Sequence, residues 1–268
     1  MSVFLWNARA RNTDVEATLN RPCPAQVWLE TPRNPDLAVF DVARYAALAP
    51  CPVAVDATFA PPPAQRLLDS GAHVVVHSAT KYLAGHSDAL AGVAATRDAD
   101  LHGALMQLRT ATGAAPGSLE TWLLLRSLRT LHLRVAAQSA AARTIADALH
   151  ARREDLGLRS VLYPTLASSP TASVAQRQMA LGGGVLAVEC RTRKAAEALP
   201  NDLRLFRDAT SLGGVESLAE WRMKYDDAVS PYLVRLSVGL EDVDDLLRDL
   251  SETLAAHRGA AYDDDDAV

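Results

Sequence analysis

Residues 74–92, VVVHSATKYLAGHSDALAG, join a run of small apolar residues to a serine, a threonine and a lysine. The apolar run predicts a strand buried on both faces, because short runs without alternation are typical of parallel sheets. Ser78, Thr80 and Lys81 would leave this strand at its carboxyl edge, with the two hydroxyl groups on one side of an extended chain. Burial among apolar strand ends lowers the pKa of an amine. The stretch therefore predicts a nucleophilic lysine that can form a Schiff base with an aldehyde.

Two further apolar runs precede this strand, at residues 26–30 and 52–59. Helix-like stretches at residues 37–48 and 63–70 separate the three runs. Strands that alternate with helices are typical of a parallel sheet with crossover connections. The first half of the chain therefore predicts an α/β fold.

The second apolar run ends in VAVD and places Asp56 at the same edge of the sheet as Lys81. Ligands of open α/β sheets bind at the carboxyl ends of the strands. Pyridoxal phosphate needs a lysine for its aldehyde, an acidic partner for its pyridine nitrogen and donors for its phosphate. Asp56, Ser78, Thr80 and Lys81 could supply these groups. The ordinary alternative is a surface lysine at a strand end.

The second half of the chain has a different texture. Residues 118–155 contain no glycine or proline and predict one long helix or two broken ones. Beyond Gly157, apolar runs predict strands at 158–164, 183–190, 203–210 and 232–239, and helices at 171–181, 192–200 and 241–257. We therefore predict a partial large domain over 1–130, a smaller α+β domain over 131–258 and a disordered acidic tail over 259–268.

Composition excludes several classes of protein. The 268 residues carry a formal net charge of −5, which gives no basic footprint for nucleic acid. The three cysteines lack metal-ligand spacing, so we expect reduced intracellular thiols and no metal site. No apolar run reaches the ~18 residues that a membrane helix needs. We expect a cytoplasmic protein without a membrane segment.

Six segments, in order along the chain, resemble one family of enzymes. They are VWLETPRNP (27–35), VAVDATFA (53–60), VVVHSATKYLAGHSDALAG (74–92), WLLLRSLRTLHLR (122–134), ATSLGGVESL (209–218) and LVRLSVGLEDVDDLLRDL (233–250). Together they resemble the Cys/Met-metabolism family of pyridoxal-phosphate enzymes, which includes cystathionine γ-synthases, cystathionine γ- and β-lyases and methionine γ-lyases. The resemblance implies fold type I, the aspartate-aminotransferase fold, with a truncated large domain.

The resemblance also implies a role for individual residues. Lys81 corresponds to the lysine that binds the cofactor aldehyde and moves protons, and Asp56 to the partner of the pyridinium nitrogen. Ser78 and Thr80 correspond to phosphate contacts.

Three further positions are matched outside these strand ends. Asn34 lies near the cofactor's phenolic oxygen in the family, although an asparagine before Pro35 is also an ordinary turn residue. Arg235 would bind the substrate carboxylate, which suits the geometry of a guanidinium group. Ser211 would help to place that carboxylate, or is simply a loop residue.

The resemblance implies that an N-terminal portion is missing. In relatives that portion carries the phosphate-binding loop, the tyrosine stacked on the cofactor and side chains lent to a neighbouring subunit. Three accounts follow: a separate chain supplies the missing part in a hetero-oligomer, the chain acts as a homo-oligomer, or it is a non-catalytic interaction or structural subunit. The first account is the one we favour. Decay to a non-catalytic remnant is disfavoured by the joint retention of Lys81, Asp56, Ser78, Thr80 and Arg235.

The activity implied by the resemblance is elimination or replacement at Cγ or Cβ of a sulfur-containing or γ-substituted amino acid. Two departures from the family pattern bear on it. Ala57 stands where the family often has asparagine, and Thr210 stands where several γ-specific relatives have glutamate. The choice between a lyase and a synthase therefore stays open.

Overall fold

Among residues 26–258, the first sheet has four strands and contains the lysine stretch. The structure is a computed structural model that describes residues 26–258. The strands are β1 (Val27–Glu30), β2 (Val53–Asp56), β3 (Val74–Ser78) and β4 (Gly92–Ala95), in that spatial order. β1, β2 and β3 are parallel, and β4 pairs with β3 in the antiparallel sense. The three predicted parallel strands are confirmed, whereas the sequence did not predict β4.

The connections between these strands differ from the prediction. Helix α1 (Val42–Leu48) begins after the N-cap Asp41, so residues 37–41 are not helical. The helix predicted over 63–70 is wrong, because this segment forms turns. Three prolines at 61–63 offer no backbone N–H, and Gln65 is held in a bridge to Met179.

Three helices follow β4 and lead to the second half of the chain. They are α2 (Ala99–Thr112), α3 (Ser118–Leu128) and α4 (Leu131–Ala151). The apolar stretch at 118–155 is therefore two helices, as one of the two alternatives predicted, while α2 was not predicted. On α3, Leu119, Trp122 and Leu125 are each about 60% exposed, at 61%, 60% and 58%, so this helix presents an apolar stripe.

In the part of the chain that the structure describes, the second sheet has five strands, in the order β5-β6-β9-β8-β7. The strands are β5 (Leu158–Leu162), β6 (Val185–Cys190), β7 (Arg207–Asp208), β8 (Leu218–Trp221) and β9 (Leu233–Ser237). The helices are α5 (Ala172–Gln178), α6 (Arg193–Asp202) and α7 (Val243–His257). Only two residues of the strand predicted over 203–210 pair as a strand, and β8 was not predicted.

Helix α4 connects the cores of the two sheets. Ile145 and Leu149, in its second half, are fully buried in a cluster with Leu246 and Leu250 of α7. Val135, in its first turns, is buried in a different cluster that contains Tyr82, beside the lysine. Burying such side chains stabilises the fold by about 1.5–3 kcal/mol each. The same helix therefore packs under the second sheet and against the lysine turn.

The domain division predicted at residue 130 stays a prediction. The acidic tail over 259–268 lies outside the described residues. Within residues 26–258, no helix is long and apolar enough to cross a bilayer. In the same part of the chain, no three histidine, cysteine or acidic side chains are grouped closely enough to hold a metal ion.

Candidate active site

Lys81 lies in a tight turn directly after β3. Its N–H donates to the Ser78 carbonyl at 3.1 Å, and its own carbonyl accepts from Gly85 N–H at 2.7 Å. The strand ends at Ser78, so Thr80 is in the turn and not in extended chain. The prediction that Ser78 and Thr80 share one side of an extended chain is therefore wrong. Lys81 nevertheless lies at the carboxyl edge of the sheet, as predicted.

The Lys81 amine donates a hydrogen bond to a neutral hydroxyl group. Its Nζ lies 2.8 Å from Ser211 Oγ. Burial lowers the pKa of Lys81, and the positive charge of Arg235 lowers it further, while Glu220 opposes the shift. A lysine with a lowered pKa has more of its neutral, nucleophilic form at neutral pH.

Asp56 ends β2, next to the strand that leads to Lys81. One oxygen of its carboxylate, Oδ1, accepts the N–H of Thr58 at 2.9 Å. The Thr58 hydroxyl in turn accepts the N–H of Ser78 at 2.8 Å. This chain of contacts fixes the ends of β2 and β3 against each other and leaves the second oxygen of Asp56 without a hydrogen-bond donor among residues 26–258.

The hydroxyl of Thr80 is used within the chain. Thr80 Oγ1 accepts from Ala91 N–H at 3.2 Å and donates to the Ala91 carbonyl at 3.4 Å. The second of these is a long bond, so the hydroxyl proton is weakly held. Its role as a phosphate contact stays a prediction.

Arg235 lies at the centre of β9, and its side chain contacts two loops and the neighbouring strand β8. Its Nη1 donates to Asn34 Oδ1 at 3.0 Å, and its Nη2 donates to the Ser211 carbonyl at 3.1 Å. Nη2 also contacts the carboxylate of Glu220. Burial lowers the pKa of Arg235 to about 10, and Glu220 opposes that shift. Of the predicted site residues, Arg235 therefore brings Asn34 and Ser211 together.

The sequence reasoning missed Glu220, which lies on β8 directly opposite Arg235. A buried arginine needs a hydrogen-bonded partner. The partner was missed because LAEW was not predicted as a strand. Had Leu218–Trp221 been paired with β9 in antiparallel register, Glu220 would have been the obvious acidic neighbour.

Glu30 is a second acidic residue that was not included in the predicted site. It ends β1 and is in register with Asp56 on the neighbouring strand. Burial raises the pKa of Glu30 to about 7, and the negative charge of Asp56 adds to the increase. Glu30 is therefore a carboxyl group that exchanges its proton near neutral pH.

The loop that presents Ser211 has an unusual backbone. Ser211 has a φ of 108°, a backbone conformation that residues other than glycine rarely adopt. Two residues further on, the backbone of Gly213 lies against Tyr82, so that an added Cβ would be 2.7 Å from the aromatic ring. This close approach brings the Ser211 loop of the second sheet onto the residue that follows Lys81.

Arg134 on α4 binds the turn that contains Lys81. Its Nη1 donates to the Tyr82 carbonyl at 2.8 Å, and its Nη2 donates to the Ser127 carbonyl at 2.9 Å. The side chain is buried and fills the space beside Gly85, where an added Cβ would lie 2.1 Å from Nη1. Charge-assisted hydrogen bonds of this kind hold a turn firmly in place.

Comparison with known proteins identifies the family of this chain. A family model described as "Cys/Met metabolism PLP-dependent enzyme" matches residues 6–255. The chain belongs to that family. The family resemblance and the fold type I architecture predicted from the sequence are therefore confirmed.

Relatives named for different activities are similar to this chain. A cystathionine gamma-synthase from Mycobacterium bovis is 40% identical over 258 residues, which are 92% of this chain and 66% of the relative. An L-methionine gamma-lyase from Pseudomonas deceptionensis is 40% identical over 262 residues, covering 91% of this chain and 64% of the relative. The crystal structure of apo CalE6, a methionine gamma lyase from Micromonospora echinospora, superposes with a TM-score of 0.86 at 41% identity, over 91% of this chain and 68% of that one.

The chain spans less than two thirds of several curated relatives. It covers 58% of a relative from Streptomyces coelicolor that is 45% identical, and 64% and 66% of the two relatives named above. The activity and the substrates of those longer proteins are therefore considered as proposals.

Proposed function

We propose that this chain binds pyridoxal phosphate at Lys81 and contributes to elimination or replacement at Cγ or Cβ of a sulfur-containing or γ-substituted amino acid. The observation that carries the proposal is the position of the Lys81 amine. It lies 2.8 Å from Ser211 Oγ, and its pKa is lowered by burial and by the charge of Arg235. An amine in this environment suits binding of an aldehyde.

The residues at the two strand ends fit the cofactor. Lys81 would hold the aldehyde carbon, and the second oxygen of Asp56 would accept the proton of the pyridine nitrogen. Ser78 and Thr80 would contribute hydroxyl groups to the phosphate. Bound pyridoxal phosphate supplies an electron sink for bonds broken at the α-carbon of an amino acid.

The side chains on the second sheet suit an amino-acid substrate. Among residues 26–258, Asn34, Ser211 and Glu220 engage three of the five N–H donors of Arg235, which leaves two for a ligand. A guanidinium group with two available donors can bind a carboxylate.

Lys81 and Thr210 complete the arrangement on the substrate side. Once its amine is free, Lys81 can take a proton from the substrate α-carbon and, after giving that proton up, a second one from the β-carbon, because burial raises the share of its neutral form. Thr210 lines an open cleft beside Ser211, where the substrate side chain would lie.

We further propose that a second polypeptide completes the site, and that it carries the family's N-terminal motifs. Two features support an oligomer. β1 and β4 are edge strands of the described sheet, and edge strands offer unpaired backbone groups to another chain. The apolar stripe of Leu119, Trp122 and Leu125 on α3 is exposed, and exposed apolar stripes are typical of interfaces. A homo-oligomer of this chain is the alternative that the same features allow.

Reductive trapping tests the proposal. The chain has three lysines, Lys81, Lys194 and Lys224, so labelling by pyridoxal phosphate and borohydride can be mapped to one of three peptides. We expect a yellow protein with the label on Lys81, alone or together with a co-purified chain. Lys81→Ala should abolish the label and the colour, whereas Lys224→Ala, a change at an exposed lysine, should keep both. A colourless protein with unlabelled Lys81 in every preparation would favour the non-catalytic subunit.

A further inference from the structure

A buried carboxylate lies between two guanidinium groups in the second sheet. Glu220 Oε1 accepts from Arg222 Nη1 at 2.6 Å, and its Oε2 contacts Arg235 Nη2. The Glu220 side chain is 2% exposed and that of Arg235 is 5% exposed. Glu220 and Arg235 are direct cross-strand neighbours, so backbone pairing fixes their approach. These three side chains form an arginine–glutamate–arginine cluster.

The cluster carries an excess of positive charge. Counted by themselves, these two guanidinium groups and one carboxylate leave a net charge of +1 where water is largely excluded. Glu30 and the Lys81 amine also act on Arg235, with opposite signs when charged. Arg222 Nε is buried and has no hydrogen-bond acceptor among the described residues. Buried charge without a full set of partners is costly. One further anion would balance the cluster, which matches the single carboxylate of an amino acid.

Glu220 occupies the same guanidinium group that would bind this anion. Nη2 of Arg235 serves both Glu220 and the Ser211 carbonyl, and Nη1 serves Asn34. The group is therefore held in one orientation before any ligand arrives. At the same time, the negative charge of Glu220 opposes the approach of a second carboxylate.

We propose that Glu220 is a positioning residue that holds the Arg235 guanidinium and sets how strongly this site binds carboxylates. It keeps Arg235 compensated when no anion is bound, and it weakens the binding of the anion so that the anion can leave. That the anion is the substrate carboxylate rests on the proposed function. The role of Glu220 toward Arg235 rests on the contacts alone.

The decisive variant is Glu220→Gln, tested in the full chain without added cofactor. Glutamine keeps the size of the side chain and one carbonyl acceptor for Arg235, so the change removes charge more than shape. Acetate is the probe, titrated by calorimetry at constant ionic strength against chloride. We expect acetate to bind Glu220→Gln about tenfold more tightly than the wild type, because a nearby like charge has been removed. Equal or weaker binding overturns the proposal.

A second variant changes the charge in the opposite direction. Arg222→Gln frees Glu220 to neutralise Arg235, so acetate binding should become several-fold weaker, whereas Arg222→Lys should stay near the wild type. The Arg222 side chain is 14% exposed and lies directly after β8, so its removal is less disruptive than a change at Glu220. If Glu220→Gln fails to fold, this pair of variants decides, and wild-type affinity in Arg222→Gln overturns the proposal.

Matched controls separate this cluster from general surface charge. Glu154→Gln and Arg248→Gln make the same chemical changes at exposed positions and should leave acetate binding unchanged. Because no cofactor is added, the result does not depend on a bond between Lys81 and the cofactor. A colourless wild type with the expected acetate pattern would defeat the proposed function and leave the role of Glu220 standing. A yellow wild type whose variants lack the expected changes in acetate affinity would leave the proposed function standing and defeat the role of Glu220.

Discussion

The Lys81 amine and the Ser211 hydroxyl lie 2.8 Å apart, although 130 residues separate them in the chain. Lys81 follows β3 of the first sheet, and Ser211 lies between β7 and β8 of the second sheet. The candidate site is therefore formed by a tertiary contact between the two sheets. Its geometry depends on a loop whose backbone is held in a rarely adopted conformation.

Replacement of Ser211 should reveal this backbone strain. Ser211→Ala and Ser211→Gly both lose the hydroxyl group, but only glycine adopts a φ of 108° without strain. We expect Ser211→Gly to exceed Ser211→Ala in free energy of unfolding by about 1 kcal/mol. Urea denaturation measures the difference. At Ser251, within helix α7, the order should be reversed, because alanine is the better helix former. The same order at both positions would show that Ser211 is not strained.

Chemical modification should detect the lowered pKa of Lys81. Only the neutral amine reacts with an acylating reagent, so the reaction rate levels off above the pKa. Burial lowers the pKa of Lys81, whereas the hydrogen bond to Asp208 raises the pKa of Lys224. The rate at Lys81 should therefore reach its plateau at a lower pH than the rate at Lys224, as measured by mass spectrometry of the two peptides. Coincident midpoints would contradict the environment described for Lys81.

Glu30 should make stability depend on pH between about 4.5 and 7. The folded protein retains the Glu30 proton up to about pH 7, whereas a glutamate in the unfolded chain has its ordinary pKa of 4.5. The folded state binds more protons in this window, so the free energy of unfolding falls as pH rises through it. Glu30→Gln should remove this slope, and at pH 8 its free energy of unfolding should exceed that of the wild type by up to about 3 kcal/mol. Parallel curves of unfolding free energy against pH for the two proteins would refute this role of Glu30. The control Glu154→Gln, at an exposed position, should leave the slope unchanged.

Two adjacent glycines should respond differently to alanine. At Gly213, φ is 73° and an added Cβ would lie 2.7 Å from the ring of Tyr82 and 2.8 Å from its backbone nitrogen. At Gly214, the nearest atom would be 3.8 Å away. We expect Gly213→Ala to lose about 2–4 kcal/mol of stability and Gly214→Ala to lose less than about 1 kcal/mol. Thermal unfolding measures both, and similar losses would mean that the loop does not pack on Tyr82 as described.

Local patterns in the sequence accounted for the central strands of both sheets and for most helices. Apolar runs at β1, β2 and β3 were long enough to be recognised, and helix α7, which begins after the N-cap Asp242, falls within the helix predicted over 241–257. β4 and β8 were missed because each has four residues with little hydrophobic contrast. The helix expected over 63–70 failed because contacts distant in sequence, such as that between Gln65 and Met179, determine its backbone.

The site residues that could be predicted locally are reactive side chains placed directly after apolar strands. Lys81 and Asp56 follow from their places after apolar runs, and the family resemblance pointed to Arg235, Asn34 and Ser211. Glu220 could not be found without the pairing of β8 with β9, because nothing in its local sequence marks it as buried. The raised pKa of Glu30 likewise depends on burial and on its register with Asp56, which only the assembled sheet shows.

The grip of Arg134 on the Tyr82 and Leu83 carbonyls has a mechanical consequence. Helix α4 joins two parts of the molecule. Ile145 and Leu149, in its second half, are buried beneath the second sheet, and Arg134, in its first turn, binds the segment that bears the reactive amine. The position of that amine therefore depends on packing in a core whose residues lie far downstream of it in the chain.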